Sequence, residues 1–341
     1  MASAQRLLFP ENSGPSLRDV ADAIRLAGID GLTEAHRRSD QATYQEVHVK
    51  SALNRAQGMP FKWALNPYRG CTHACEYCYA RKYQKHLELD AGDAFSRVIF
   101  VKTNLPLALA REVRKASWTR ETVAIGTATD PYQPIEGHYK LTRRSIEILA
   151  AARTPISIIT KGPMIIRDSD VLAAIRDAAG CTVHMSVPSV DAELCEKLEP
   201  GTASPQQRLR AVRHLVDAGI DAGVLMMPLV PGLTTSRSKI EDTLRAIRDT
   251  GVRAVGANVA RLDAGVREHF FAFLSKEFPD LLAGYERLYV KTSAPRSYLD
   301  AVKSTVNGAR LRIIGPGVRV TPGHEPPSAD ATRTATSVPR R

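Results

Sequence analysis

Residues 66–81 read NPYRGCTHACEYCYAR and set Cys71, Cys75 and Cys78 in a CxxxCxxC spacing. Thiolates are soft, anionic ligands, and a short loop opened by Gly70 can gather three of them around one iron–sulfur centre without help from distant chain. A four-iron cubane held by three cysteines keeps one iron free of protein thiolate, so that iron can accept an outside ligand. The arrangement therefore reads as a site for chemistry as well as for electron storage. Two other readings stay open on the residues alone. Cys71, His73, Cys75 and Cys78 also make a Cys3His set for a zinc knuckle, although structural zinc usually draws on two separated pairs and the sequence shows no second pair. Disulfides are the third reading. The start, MASAQRLLFPENSG, shows no apolar signal region, so a reducing cytoplasm is expected, where clustered cysteines read as metal ligands.

The stretch resembles the signature of the radical S-adenosylmethionine (radical SAM) superfamily, CxxxCx(aromatic)C, with Tyr77 at the aromatic position. The resemblance implies a [4Fe-4S] cluster on Cys71, Cys75 and Cys78 whose open iron chelates the amino and carboxylate groups of S-adenosylmethionine. It also implies a 5'-deoxyadenosyl radical that abstracts hydrogen, and an external one-electron donor such as flavodoxin or ferredoxin. In such enzymes the cofactor carries the hard chemistry and the protein binds, orients and excludes side reactions.

The chain has 341 residues, 43% of them hydrophobic, enough for one large core. No apolar run approaches the roughly 18 to 20 residues a membrane span requires, so a soluble, cytoplasmic protein is expected. The net charge of +11 is a field that attracts polyanions, nucleic acid among them. It does not come from the ends. Beyond Gly323, Arg333, Arg340 and Arg341 stand against Glu325 and Asp330, and the first 60 residues balance. The excess falls on sets such as Arg111, Arg114, Lys115 and Arg120, or Arg143 and Arg144, which alternatively form a solvated basic face without a partner.

Read in order, residues 1–60 make an N-terminal extension, disordered at first, with a short helix from Ser16 to Leu26. A first strand near Lys62–Leu65 delivers the cysteine loop. Helix Ala80–Leu89 and a buried strand, RVIFVK (Arg97–Lys102), follow. Strands TVAIGTAT, ISIITK, CTVHMSV, DAGVLMMPLV and VRAVGANVA then alternate with helical segments, which argues for right-handed βα units around a parallel sheet. About six such strands make a partial (βα)6 TIM-like barrel of the α/β class over 61–262, the fold the resemblance also implies. Residues 263–321 read as a C-terminal cap over the barrel mouth, with helices near Val266–Glu277 and Pro295–Asn307 and a hairpin in Leu311–Val320. The Pro-, Ser- and Thr-rich stretch 322–341 reads as a disordered tail.

In a barrel, polar residues at carboxyl strand ends are the ligand candidates. The second strand ends in Gly126, Thr127, Ala128, Thr129 and Asp130. Gly126 permits close backbone approach, and Thr129 with Asp130 suits the ammonium of a bound amino acid; an Asp-Pro turn is the alternative there. This run looks like the superfamily's Gly-Gly-Glu equivalent. The third strand ends in Lys161, a compact ammonium poised to pair with a carboxylate. It resembles the lysine that grips the cofactor's carboxylate in spore photoproduct lyase. At the fourth end Ser186 matches a cofactor-contacting serine, and His184 shares its face. The fifth end offers Met227 and Pro228 for packing on adenine, or simply for the core.

The runs NPYRGC, YCYAR, TATDPYQPIE, LTRRSIEIL, ITKG and EPGTASP together are similar to bacterial radical SAM proteins labelled DNA repair photolyase, relatives of spore photoproduct lyase, over roughly 47–258. The lyase has a cysteine hydrogen donor three residues before its strand-2 aspartate, and the matching position is Thr127, whose O–H is a far poorer hydrogen-atom donor. Tyr77 and Tyr79 match the tyrosines flanking the lyase's third cluster cysteine, so Tyr79 is the candidate catalytic residue. Cys181 and Cys195 read as buried apolar residues. The expected function is radical hydrogen abstraction on a nucleic acid. A protein or small-molecule substrate is the alternative, and a zinc-stapled binding module or electron carrier a second.

Overall fold

Runs of Val, Ile and Ala bounded by turn residues make the strands of this protein, and helices with apolar residues at three- and four-residue spacing cover them. The computed structural model describes residues 42–321 except 88, 90 and 91. The expected helix at Ser16–Leu26 and the expected disordered ends lie outside them.

The strands are β1 (Thr43–Val47), β2 (Leu53–Arg55), β3 (Trp63–Leu65), β4 (Tyr68–Arg69), β5 (Val98–Lys102), β6 (Val123–Ile125), β7 (Ile156–Thr160), β8 (Cys181–Ser186), β9 (Asp221–Leu229), β10 (Ala254–Val259) and β11 (Arg319–Val320). Eight form one sheet in the order β11-β10-β9-β8-β7-β6-β3-β2, with β2 and β11 as its edges. Six of them, β3 and β6 to β10, are parallel neighbours separated by helical crossovers, the arrangement of a partial (βα)6 barrel. Register sets one buried row across four of them: Leu65 opposite Ile125, Ile125 opposite Ile158, and Ile158 opposite Val183.

That row joins a core that takes Leu105 and Leu109, Ile146 and Leu149, Leu172 and Ile175, Val212 and Leu215, and Leu244 and Ile247 from five crossover helices. Each pair is spaced three or four residues apart, so one face of each helix is buried against the sheet.

Several elements differ from the sequence expectation. The expected strand Arg97–Lys102 forms over Val98–Lys102, with Arg97 closing a short helix, and it lies in a second sheet of order β1-β5-β4. Its parallel partner β1 comes from the stretch expected to be an N-terminal extension. The segment after the cysteines is a 3-10 helix, Tyr79–Leu87. No hairpin forms near the end of the described chain. Helix Arg296–Ile313 runs through the first part of that stretch, and β11 adds in parallel to β10. A hairpin needs antiparallel strands beside a tight turn, whereas helix Arg296–Ile313 makes this another βαβ crossover. Helices Ala192–Leu198 and Pro279–Leu288 are further additions.

Candidate active site at the carboxyl strand ends

The cysteine loop leaves β4 through Gly70, and its backbone is tied down from three sides. Thr129 Oγ1 (2.6 Å) and Gln133 Nε2 (3.3 Å) donate to the Gly70 carbonyl, and Gln133 Oε1 accepts from Thr72 N at 3.1 Å. Arg81, fully buried over the Phe95 ring, donates to the carbonyls of Cys75 (3.0 Å), Ala74 (2.8 Å) and Gly92 (2.9 Å). On the third side the chain after helix Ala192–Leu198 presses in, with Gly201 N donating to His73 O and Glu76 N donating to Leu198 O. A Cβ at Gly201 would lie 2.0 Å from Thr72 O, so only glycine permits this approach.

This frame turns three thiols toward one another. Cys71 and Cys75 are buried and Cys78 is partly so. Burial pushes the Cys75 and Cys78 thiols up, and the neighbouring thiols push the same way, while Lys161 opposes. His73 does not stand apart as a fourth ligand. Its Nδ1 is 3.3 Å from Asp130 Oδ2, and although burial works against its charge, Cys71 and Asp130 raise its pKa to about 10.

Asp130 is satisfied by the protein. Its Oδ1 accepts from Thr160 Oγ1 (2.6 Å) and Tyr132 N (2.9 Å), and its Oδ2 from Lys161 N (2.6 Å), joining the ends of β6 and β7 to the cysteine loop. Burial alone would raise its carboxyl, but His73, Thr160 and the Lys161 amide hold it down to about 2. Thr129 is likewise buried and occupied by the loop. Gly126, with φ of +90°, lets the turn pass where a Cβ would meet Ile159 O at 2.3 Å.

Lys161 directly follows β7, and Ser186 ends β8. The Lys161 ammonium is mostly buried, 5.8 Å over the Tyr77 ring and 3.8 Å from Glu199 Oε1. Burial works against that charge, and Cys75 and Glu199 more than offset it, so it is held protonated. Glu199, fully buried, accepts from the Tyr77 hydroxyl. Its Oε2 faces the equally buried Arg208 Nη2 at 2.6 Å, a charge contact out of line for a hydrogen bond. Arg208 Nη1 also donates to Ser186 O at 2.9 Å.

The run EPGTASP gives Glu199 no role on sequence, and nothing in the sequence expectation includes Arg208. The available signal was the helix start: Ser204 and Gln207 form a capping box, Pro205 fills the first turn, and Arg208 follows one turn in.

Tyr79 is the exposed member of the group, at 44%. Its hydroxyl donates to the Thr127 carbonyl, and Thr127 Oγ1 accepts from Asn66 Nδ2 at 3.1 Å. The structure thus brings the candidate catalytic tyrosine onto the backbone of Thr127. Met227 and Pro228 are partly buried at the end of β9. His184 belongs elsewhere. With Thr182, Asp221, Gly223 and Arg319 it lines a cavity of about 240 Å³ between β8, the starts of β9 and β10, and β11.

Helices Val266–Glu277 and Pro279–Leu288 cover this end of the sheet. Phe270, Leu274, Tyr285 and Tyr289 share one apolar cluster with Cys75 and Tyr77. Tyr285 donates to Pro231 O and Tyr289 to Ala260 O, just beyond β9 and β10. Two contacts fasten this segment to the cysteine region: a hydrogen bond between His269 Nε2 and Glu76 Oε2 at 2.6 Å, and an ion pair of Lys82 with Asp263 at 2.5 Å.

A protein of Mycobacterium tuberculosis, named only as uncharacterised, is 38% identical over 282 residues, covering 81% of this chain and 83% of its own length. One from Methanocaldococcus jannaschii is 25% identical over 270 residues, 79% of this chain and 95% of that one. A radical SAM Nα-GlyT isomerase of Pseudomonas phage M6 is 26% identical over 201 residues, 57% of this chain and 39% of the isomerase. Among solved structures, a double mutant of spore photoproduct lyase with bound AdoMet and dinucleoside spore photoproduct superposes with a TM-score of 0.65 at 15% identity, over 91% of this chain and 96% of that one. That likeness is one of fold. Residues 65–247 match the radical SAM superfamily, and this chain belongs to it.

Proposed function

We propose that this protein is a radical SAM enzyme that holds a [4Fe-4S] cluster on Cys71, Cys75 and Cys78 and abstracts a hydrogen atom from its substrate. The observation that carries the reading is the convergence of three mutually interacting thiols, framed by Arg81 and Gly201, at the carboxyl ends of the parallel strands. The donor set fits the cluster. Three thiols are available, His73 is engaged by Asp130, and among the described residues no three His, Cys, Asp or Glu side chains are placed to hold a single ion. A cluster that spreads its ligands over several irons needs no such single point. Cluster and S-adenosylmethionine together supply a 5'-deoxyadenosyl radical.

The chain's own residues bind and orient. Lys161 offers an ammonium to the cofactor's carboxylate, Tyr77 and Ser186 border the same space, and Gly126 lets the backbone approach. Thr129 and Asp130 serve the cofactor's amino group by fixing the loop beside it. Tyr79, on the Thr127 carbonyl, is placed to pass a hydrogen atom, while Thr127 itself is a poor donor. An outside carrier such as flavodoxin or ferredoxin delivers the electron, consistent with a cytoplasmic enzyme.

The substrate we infer is a nucleic acid, on the strength of the +11 charge. One observation favours a protein or small molecule instead: the exposed set Arg111, Arg114, Lys115 and Arg120 precedes β6, at the amino ends of the strands, away from the thiols. Anaerobic reconstitution followed by iron and sulfide analysis tests the site. Four irons per chain and an electron paramagnetic resonance signal that changes on adding S-adenosylmethionine are expected; one bound zinc in a colourless protein would refute the reading.

A further inference from the structure

The three charged groups around Tyr77 are unequally bound. Arg208 approaches Glu199 to 2.6 Å with both side chains fully buried, whereas Lys161 stands 3.8 Å from the same carboxylate and retains 16% exposure. Glu199 is thus held from behind by Arg208 and by the Tyr77 hydroxyl, and its tie to Lys161 is the loosest of the three. Lys161 faces the thiols and Glu199 together, so a second carboxylate arriving at the strand ends competes with Glu199 for one ammonium.

We propose that Glu199 is a positioning residue that parks Lys161 until ligand arrives, and that Lys161 then exchanges it for the carboxylate of S-adenosylmethionine. The proposal rests on the radical SAM reading of the site. When Lys161 leaves, Arg208 keeps the buried Glu199 charge compensated, which an isolated carboxylate would lack. The exchange stores part of the binding energy as a specificity device: a ligand without a carboxylate cannot draw Lys161 away.

The test is isothermal titration of the cluster-loaded protein with S-adenosylmethionine and with decarboxylated S-adenosylmethionine. Glu199→Gln removes the competing charge and keeps an acceptor for Tyr77. It is expected to bind S-adenosylmethionine about fivefold tighter than wild type, the scale of one weak ion pair, and the decarboxylated ligand unchanged. Lys161→Met is expected to weaken S-adenosylmethionine alone, and adding Glu199→Gln to it should bring no gain. Because Glu199→Gln leaves Arg208 unpaired, Glu199→Gln/Arg208→Gln, with both buried charges removed, carries the same comparison should the single variant not fold. Equal affinity of wild type and the Glu199 variants for S-adenosylmethionine, or equal tightening for both ligands, would overturn the proposal. Failure of wild type to bind S-adenosylmethionine at all would instead overturn the reading beneath it.

Discussion

Arg81 is the side chain on which the cysteine loop's conformation most depends, because one buried guanidinium satisfies two carbonyls between the cysteines, Ala74 and Cys75, and ties them to a third at Gly92. Arg81→Met keeps the bulk and removes those donors. A buried carbonyl left unmade costs about 1–3 kcal/mol and the two part-buried ones less, so a loss of about 3 kcal/mol is expected in urea unfolding, together with less iron retained after desalting. Asp130 acts at the same scale through its charge. Its carboxyl is held at about 2 against an ordinary 3.8, so it contributes stability that is complete above about pH 4 and is lost as pH falls through 2. Asp130→Asn is therefore expected to be about 2 kcal/mol less stable than wild type near pH 6, with the gap closing as the pH approaches 2 in unfolding curves taken across that range.

At the scale of elements, the cap helices and the helix that leads into Glu199–Gly201 pack together against the cysteine loop, sharing one apolar cluster and the Lys197–Glu277 ion pair. Phe270 is fully buried in the apolar cluster that includes Cys75 and Tyr77. Phe270→Ala is expected to cost about 3–5 kcal/mol in thermal or urea unfolding. If the proposed iron–sulfur cluster is bound, the variant should also speed bleaching of its absorbance in air, because the apolar packing it opens is shared with Cys75. Gly201→Ala should lower iron retention more than stability, since the added carbon meets the loop's own backbone at Thr72.

Most of this architecture was legible in sequence because parallel strands buried on both sides leave dense Val and Ile runs, as in ISIIT and VAI. The strand RVIFVK was legible as a strand, but its sheet was not. Register and partner are set by β1 and β4, whose five and two residues carry no pattern that names a neighbour. The three cysteines were legible from spacing alone. Glu199 and Arg208 were not, because their pairing depends on the capping box that aims helix Pro205–Asp217, and an isolated Glu or Arg in sequence reads as surface.

For the whole molecule, charge and chemistry make separable claims. If the substrate is a nucleic acid, retention on single-stranded DNA should fall steeply between low and moderate salt, as counterion release requires. Salt-insensitive, weak retention would favour a protein or small-molecule substrate without touching the radical chemistry. The radical chemistry is tested most directly by anaerobic assay of 5'-deoxyadenosine from S-adenosylmethionine with dithionite, comparing the reconstituted wild type with Cys75→Ala. The account predicts product from wild type and none from the variant. Wild-type protein with a complete cluster and bound S-adenosylmethionine that yields no 5'-deoxyadenosine, with or without candidate substrates, would contradict it.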